Sequence, residues 1–488
     1  MIRVRIPPSP TGLLHIGTVR TALYNHLFAK HNGGTMVFRM EDTDKERSTK
    51  EFEDDIINGL VALGLAGDEG VHLGTKGYRQ SERTGIYQKY LQKLLDEDKA
   101  YYCFCTKERL EEMRQKCEKE KRAPRYDGCC SEISPGNAKK RITNGEKGVI
   151  RLRVPKDRGD IKWNDLVRGE TVINSKELDD FVIARTIDDP LYHLTVVADD
   201  HDMEITHVIR GEDHISNTPK QILIFEAFGW ELPEFAHLPL ILNEDKSKLS
   251  KRKNKVSVDD YLKEGYLPEA LINFLALLGW NPGTEQEIFS MEELIGQFSL
   301  DRVHKGGAVF DIKKLDWING EYIKKEIADD VDVFYKKLVP CLKNKIPDNP
   351  ELIKKILKDP DFEGRFKKLS EIPDELSVLF NKLPDYPLDL IMRGKFQITK
   401  DMLKKVLEKA KEVVSELEWE KGDSGKSAEL AEKMMELVSG LRLKNGQVLW
   451  PVRVALSGQE HSPNFSTLMV YLGKEEVLKR LDFALQKL

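Results

Sequence analysis

"SPTGLLHIGT", Ser9 to Thr18, places a histidine and two glycines between two segments of different period. Upstream, Ile2, Val4 and Ile6 alternate with Arg3 and Arg5, the period of a strand. Downstream, Val19, Ala22, Leu23, Leu27 and Phe28 recur at helical spacing until Asn32-Gly33-Gly34 stops them. The stretch therefore reads as a strand-to-helix turn. Free backbone N–H groups and the helix dipole favour an anion there, and Gly12 and Gly17 let a ligand approach the main chain closely. A nucleotide phosphate suits such a turn.

Beyond the turn, Thr35 to Met40 reads as a strand, Glu41-Asp42-Thr43-Asp44 as its polar end, and Phe52 to Leu63 as a helix. This βαβ order predicts a parallel, doubly wound sheet. A helix from Gly85 to Asp98 then leads into a cysteine-rich region and polar strand-like segments, Val149 to Val154 and Asp165 to Val172, which read as an insertion. The α/β pattern resumes at Leu191. Leu194, Val196, Val197 and Ala198 read as one strand ending at Asp199-Asp200-His201, and Ile205 to Ile209 as another ending at Arg210-Gly211-Glu212-Asp213-His214. A helix follows, with Thr218 as its N-cap, Pro219 at its first position and Gly229 past its end. His237 to Leu242 reads as a short strand. From Leu267 onward the period is helical, and no run of strands is expected after Ile323.

At 488 residues the chain exceeds one hydrophobic core, so several domains are expected. No apolar run approaches the roughly 18 residues that span a bilayer. Prolines 7, 8 and 10 interrupt any signal-peptide core, and a cytoplasmic setting without membrane partners is expected. A net charge of −5 excludes a uniformly basic nucleic-acid binder, yet local lysine groups such as Lys246 to Lys255 could still hold phosphates. Five of the six cysteines fall between Cys103 and Cys130. In a reducing compartment such clustering points to a metal site rather than disulfides.

In an open parallel sheet, ligands bind outside the carboxyl ends of the strands. Ser9 to Gly17, Glu41 to Asp44 and Arg210 to His214 all sit at such ends and should converge on one pocket. After them, Lys248-Leu249-Ser250-Lys251-Arg252 offers ammonium groups that could clamp a triphosphate as charge builds on a leaving pyrophosphate.

With His15-Ile16-Gly17-Thr18 in place of a HIGH motif and Lys248 to Arg252 in place of KMSKS, the chain resembles a class I aminoacyl-tRNA synthetase. The blocks "PPSPTGLLHIGTVRTALYN", "FRMEDTDKERS", "YRQSER", "VIRGEDHISNTPKQI", "KLSKRK", "VFDIKKLDWINGEYI" and "PVRVALSG" resemble, in order, those of the glutamyl-tRNA synthetase family. The resemblance implies a Rossmann-like α/β catalytic domain in two halves (1–85 and 190–245) around an α+β acceptor-end insertion (86–189). A loop and helical stem-contact segment (246–323) and an all-α anticodon-binding region (324–488) follow. It implies ATP with Mg²⁺, L-glutamate and tRNA-Glu as substrates, with tRNA-Gln left open, and a monomer.

Residue by residue, the resemblance gives Arg5, Glu41, Tyr192 and Arg210 to glutamate, and Ser9, Thr11, His15, Gly17, Asp213, His214, Lys248 and Lys251 to ATP. Where a related chain carries a polar residue in the glutamate pocket, this one has Val196. Cys103, Cys105 and Cys130 match zinc ligands. The fourth position, commonly a histidine, holds Glu132, so Cys129 or Glu132, and after them Tyr126 or Cys117, are the candidates to complete a tetrahedron. Arg365, Arg453, Ser462, Pro463 and Phe465 match positions that lie against the anticodon. The alternatives are a glutaminyl-tRNA synthetase, whose anticodon region is built of β-barrels, and an inactive tRNA-binding paralogue.

Overall fold

The computed structural model describes residues 1–121, 124–249 and 257–488. They divide into two units, one of residues 1–261 and 271–312, the other of residues 262–270 and 313–488.

In the first unit, Arg3–Ile6, Thr35–Phe38 and Glu69–Gly70 form a parallel sheet in that order, with Arg5 opposite Val37. The helix Ile16–His31 connects the first two strands, as the opening turn requires. A second sheet pairs His207–Gly211 in parallel with Glu234–Leu238, whose Phe235 lies opposite Asp165 of Asp160–Asp165. The two sheets meet where Thr206 N–H donates to the Arg3 carbonyl and Arg3 N–H to Thr206 Oγ1, both at 2.9 Å. A third, antiparallel sheet is made by Ala100–Cys103, Val149–Leu152, Val182–Thr186 and Asp189–Pro190.

Five expectations need correction. Leu194 to Ala198 is not a strand but part of the helix Tyr192–Asp202. Every residue from Leu194 to Asp200 is buried, so neither exposure nor polarity marks a period, and a short apolar run of this kind fits either element. The strand expected at Ile205 to Ile209 runs from His207 to Gly211, which puts Arg210 inside the strand instead of beyond it. The segment 165–172 is not one strand: Asp165 ends Asp160–Asp165, residues 166–168 turn, and 169–172 belong to the antiparallel Gly169–Asn174, with Gly169 at a φ of 84°. Thr218 opens the helix Thr218–Phe228 without capping it: Asn217 holds the cap position, and the Thr218 hydroxyl turns to Arg210 and His237. Pro219 is thereby the second helical residue and not the first, while the left-handed Gly229 stands past the helix end as expected. His237 to Leu242 divides into the ends of two strands, Glu234–Leu238 and Ile241–Leu242.

The second unit is helical, and none of its described residues lies in a strand. Lys400–Glu416 buries Leu403, Val406, Leu407, Ala410 and Val414, one face at spacings of three and four. Asn445–Ser457, Phe465–Leu472 and Lys474–Gln486 close the chain. Arg480 is held there by the carbonyls of Val378 and Leu456 at 2.8 and 2.6 Å.

Candidate active site and its accessory sites

A cavity of about 470 Å³ opens at the carboxyl ends of the parallel strands. It is lined by Arg5, Glu41, Tyr192 and Arg210 of the glutamate set and by His15, Gly17, Asp213, His214 and Lys248 of the nucleotide set. Ser9 and Thr11 are exposed on the loop before the first helix, outside that lining, with Thr11 N–H on the Ser9 carbonyl at 2.9 Å. Ser250, Lys251 and Arg252 lie outside the described residues.

His15 is the N-cap of Ile16–His31, its Nδ1 accepting from Thr18 N–H at 3.3 Å. A cap and a ligand-facing side chain are thus the same residue. A Cβ on Gly17 would come within 3.0 Å of His15 Nδ1, so a larger residue there would press on that ring. Lys248 pairs with Asp213 at 3.2 Å, so a cation and a carboxylate stand together at the rim.

Charge in the floor of the cavity is buried and linked. Arg5, 2% exposed, donates through Nε to Asp200 at 3.3 Å. Asp200 also accepts from Arg39 at 2.8 Å, and Arg39 reaches Glu41 at 3.0 Å. One carboxylate therefore fixes both Arg5 and the arginine that holds Glu41. Behind it, Asp199 accepts from Gln80 at 2.9 Å, Arg83 at 2.6 Å and Tyr87 at 2.9 Å. Burial would raise the Asp200 carboxyl, but Arg5 and Arg39 outweigh it and hold it below the ordinary carboxylate range. Burial pushes Glu41 up against the opposing pull of Arg39.

Arg210 is arranged differently. Its Nε donates to His237 Nε2 at 3.1 Å, one terminal nitrogen to Gln221 Oε1 at 2.7 Å and the other to Thr218 Oγ1 at 2.8 Å. None of these partners is an anion. Burial pushes its pKa down to about 10, which leaves it protonated at neutral pH. With one bond from each nitrogen, one N–H remains on each terminal nitrogen for an acceptor in the cavity. Burial followed by the Arg210 charge lowers His214 to about 4, so it is neutral beside this guanidinium.

Sequence reasoning missed Arg39, Gln80, Tyr87, Gln221, His237 and Asp165. Arg39 stands inside "FRMED" and Gln80 inside "YRQSER", so the signal lay in the quoted blocks. Asp199 and Asp200 were noticed, but on the wrong element.

In the cysteine region, the sulfurs of Cys103, Cys105 and Cys130 lie within 4.8 Å of one another, and among the described residues this is the group that could hold a metal ion. Cys105 and Cys130 are 3.7 Å apart. A zinc tetrahedron with bonds of about 2.3 Å has edges of about 3.8 Å, which the Cys105–Cys130 separation matches, while Cys103 lies within 4.8 Å of both. The Tyr126 hydroxyl stands 3.3 Å from Cys103, 3.7 Å from Cys105 and 3.6 Å from Cys129. Cys129 is exposed, 3.3 Å from Cys105 and 3.7 Å from Cys130. Glu132 is exposed and Cys117 is buried on Lys107–Lys119, both outside the group of three.

In the helical unit, Arg453 and Phe465 line a shallow cleft with Trp450, Phe396, Asp361 and Ser462. The Arg453 guanidinium lies 4.8 Å from the Trp450 ring centre and donates to the carbonyls of Ser462 and Glu460 at 3.2 and 2.9 Å. Arg393 covers the same ring at 4.7 Å. Burial, then the charges of Arg365 and Arg393, lowers the Arg453 pKa. Pro463 is buried beside Ser462, while Arg365 pairs with Glu375 at 3.2 Å and is not part of the cleft lining.

Residues 1–317 match the model of the class I tRNA synthetase (E and Q) catalytic domain, and residues 333–485 that of an anticodon binding domain. The chain is 43% identical over 487 residues to the glutamate–tRNA ligase of Carboxydothermus hydrogenoformans, covering 99% of both chains. It is 41% identical to that of Clostridium tetani, covering 100% of this chain and 98% of the relative. The crystal structure of a glutamate tRNA ligase from Elizabethkingia meningosepticum, in complex with its amino acid, superposes with a TM-score of 0.87 at 35% identity over 99% of each chain. On these likenesses, full-length in both sequence and structure, the chain belongs to the glutamate–tRNA ligase family of class I tRNA synthetases.

Proposed function

We propose that the protein joins L-glutamate to the 3′ end of tRNA-Glu at the expense of ATP, through a glutamyl-adenylate and attachment to the 2′-hydroxyl of the terminal adenosine. The observation that carries this reading is Arg210: a buried guanidinium bound by three neutral partners, with an N–H left on each terminal nitrogen. An anionic side chain meets both its N–H groups and its charge, whereas an amide brings an acceptor oxygen but no charge and a further donor. Arg5 would take the α-carboxylate and Glu41 the α-amino group, with Tyr192 beside them.

ATP would lie over the N-terminus of Ile16–His31, with Ser9, Thr11, His15, Gly17, Asp213 and His214 around it and Lys248 and Lys251 on its phosphates. Mg²⁺ would accompany the triphosphate and neutralise part of its charge. The substrate carboxylate then attacks the α-phosphorus, forming the carboxyl–phosphate bond as the bond to pyrophosphate breaks. This chain supplies position and charge, without a side-chain nucleophile. The 2′-hydroxyl of the tRNA next displaces AMP from the glutamyl carbon.

In the same reading, residues 86–189 hold the acceptor end, 246–323 contact the stem, and the Arg453 cleft within 324–488 takes the anticodon with Arg365, Ser462, Pro463 and Phe465. The thiols of Cys103, Cys105 and Cys130 would hold a structural zinc, with the Tyr126 oxygen at the fourth corner because it is buried at 3.3 and 3.7 Å from Cys103 and Cys105, whereas Cys129 is exposed. A monomer in the cytoplasm is the setting we infer. Transfer of glutamate to tRNA-Glu and tRNA-Gln transcripts, measured side by side with Arg210→Ala as control, tests the assignment. Charging of tRNA-Glu alone makes the enzyme discriminating, charging of both makes it non-discriminating, and charging of neither overturns the proposal.

A further inference from the structure

We infer that Asp165 and His237 form a positioning pair that orients Arg210, so that a carboxylate in the inserted hairpin sets the protein's preference for an anionic amino acid. The inference rests on the assignment of Arg210 to the substrate side chain.

Proton positions follow from what each group can donate. Arg210 Nε can only donate, so His237 Nε2, 3.1 Å away, must accept and carries no hydrogen. The hydrogen of a neutral imidazole is then on Nδ1, which faces Asp165 Oδ2 at 2.5 Å. Asp165 is itself immobilised. Its Oδ1 accepts from the backbone N–H groups of Val167 at 3.1 Å, Arg168 at 2.9 Å and His237 at 3.2 Å. His237 is fully buried and Asp165 is 2% exposed, so water does not compete for these bonds. Thr218 Oγ1 stands 3.0 Å from His237 Nε2 and 2.8 Å from Arg210, closing a triangle around one edge of the guanidinium. With that edge fixed and Gln221 on a terminal nitrogen, the plane of Arg210 is determined before substrate arrives. A carboxylate therefore selects the tautomer, the tautomer supplies the acceptor, and the acceptor sets the guanidinium.

Asp165→Asn tests the chain of effects. The introduced amide can keep its oxygen toward the three backbone N–H groups, but its NH₂ then faces His237 Nδ1. That favours the other tautomer and sets an N–H at Nε2 against the Arg210 N–H, a mismatch of the kind known from catalytic histidines held in the wrong tautomer. We expect KM for glutamate to rise on the order of 10–100-fold, the cost of a misplaced binding group, while KM for ATP stays within about twofold. His237→Gln can present an amide oxygen near the Nε2 position and needs no carboxylate behind it. It should lose less than His237→Leu, and the double variant Asp165→Asn/His237→Gln should recover glutamate affinity relative to Asp165→Asn alone. A merely structural pair predicts the reverse, a double variant worse than either single one. Unchanged glutamate KM and glutamate-to-glutamine preference in Asp165→Asn and His237→Leu overturns the inference. So does a parallel rise in both KM values, or a loss of folded protein that His237→Gln does not relieve. Wild-type charging in the same assay keeps the two readings apart: an inactive wild type defeats the proposed function, whereas an active one with indifferent variants defeats the positioning pair.

Discussion

Arg210 and Arg453 both present a guanidinium to a cavity, and their surroundings differ in a way that bears on what each can recognise. Arg210 is 5% exposed and locked by side chains that carry no charge. Arg453 is half-buried, rests on the Trp450 ring and binds two backbone carbonyls. A buried cation whose direct partners are all uncharged reads charge, because an anion repairs its desolvation best. A cation stacked on an indole in an open cleft reads a flat surface and a backbone, as single-stranded nucleic acid offers. One site demands an ion, the other accepts a shape.

The contrast breaks first at Arg210. Arg210→Ala should reduce kcat/KM for glutamate by about 10⁴, the discrimination expected of a site whose buried polar groups lose their partner. Steady-state charging with saturating tRNA measures this. A loss below tenfold would place charge recognition elsewhere in the pocket and remove the distinction from Arg453.

Next comes the scaffold under the pocket. Arg39 is fully buried between Asp199, Asp200 and Glu41. Arg39→Leu leaves three carboxylates facing one another with less than their former compensation. Removing one partner of a buried ion pair costs about 3–5 kcal/mol, so calorimetry should show the transition of the catalytic unit shifted downward by a loss of this size. A stable Arg39→Leu with normal glutamate affinity would mean that Arg5 and Glu41 need no common anchor.

At the cleft the effect is smaller. Arg453→Ala should raise KM for tRNA roughly 5–150-fold, corresponding to about 1–3 kcal/mol for one stacked base, and leave KM for glutamate unchanged. An equal loss with a tRNA lacking its anticodon arm would detach the cleft from that role.

The sequence made the ends of this comparison legible and hid the middle. The opening turn, the acidic strand end and the Arg210 block each carry a local signal, because strand-to-helix turns need glycine and polar caps whatever follows. The helical unit was equally readable from Leu403 to Val414, where one face alternates with solvent at regular spacing. What failed was Leu194 to Ala198, because a helix buried all round shows no amphipathic period. Asp165 and His237 were invisible for another reason: they are 72 positions apart, and only the parallel pairing of Asp160–Asp165 with Glu234–Leu238 brings them together. Sequence shows residues that a turn displays, whereas partners joined by a sheet emerge only from its register.

The smallest effect concerns the thiol cluster, where several side chains compete for the fourth corner. Glu132 had a claim by its match to the usual histidine position, and Cys129 by adjacency in sequence. Both Tyr126 and Cys129 stand at edge distance from two of the three thiols, and we favour Tyr126 because it is buried among them whereas Cys129 is exposed. The Tyr126 oxygen contacts Cys103 and Cys105 at 3.3 and 3.7 Å, and the ring is braced by Arg151, whose guanidinium lies 3.8 Å from the ring centre. Burial and the neighbouring thiols push the Tyr126 phenol up, so a bound cation would have to supply the charge that makes its oxygen a ligand. Cys129, exposed and beside Cys105, is then a spare thiol. Cys129→Ser and Glu132→Ala should each keep one zinc per chain with affinity within a few-fold of the parent, measured by competition with a chelator. Tyr126→Phe should lose affinity on the order of 10–100-fold, a range borrowed from mutations that disturb the shell around a metal. The reverse order, with Cys129→Ser the weaker binder, would give the fourth corner to sulfur and make this an all-thiolate site, with the tyrosine reduced to packing.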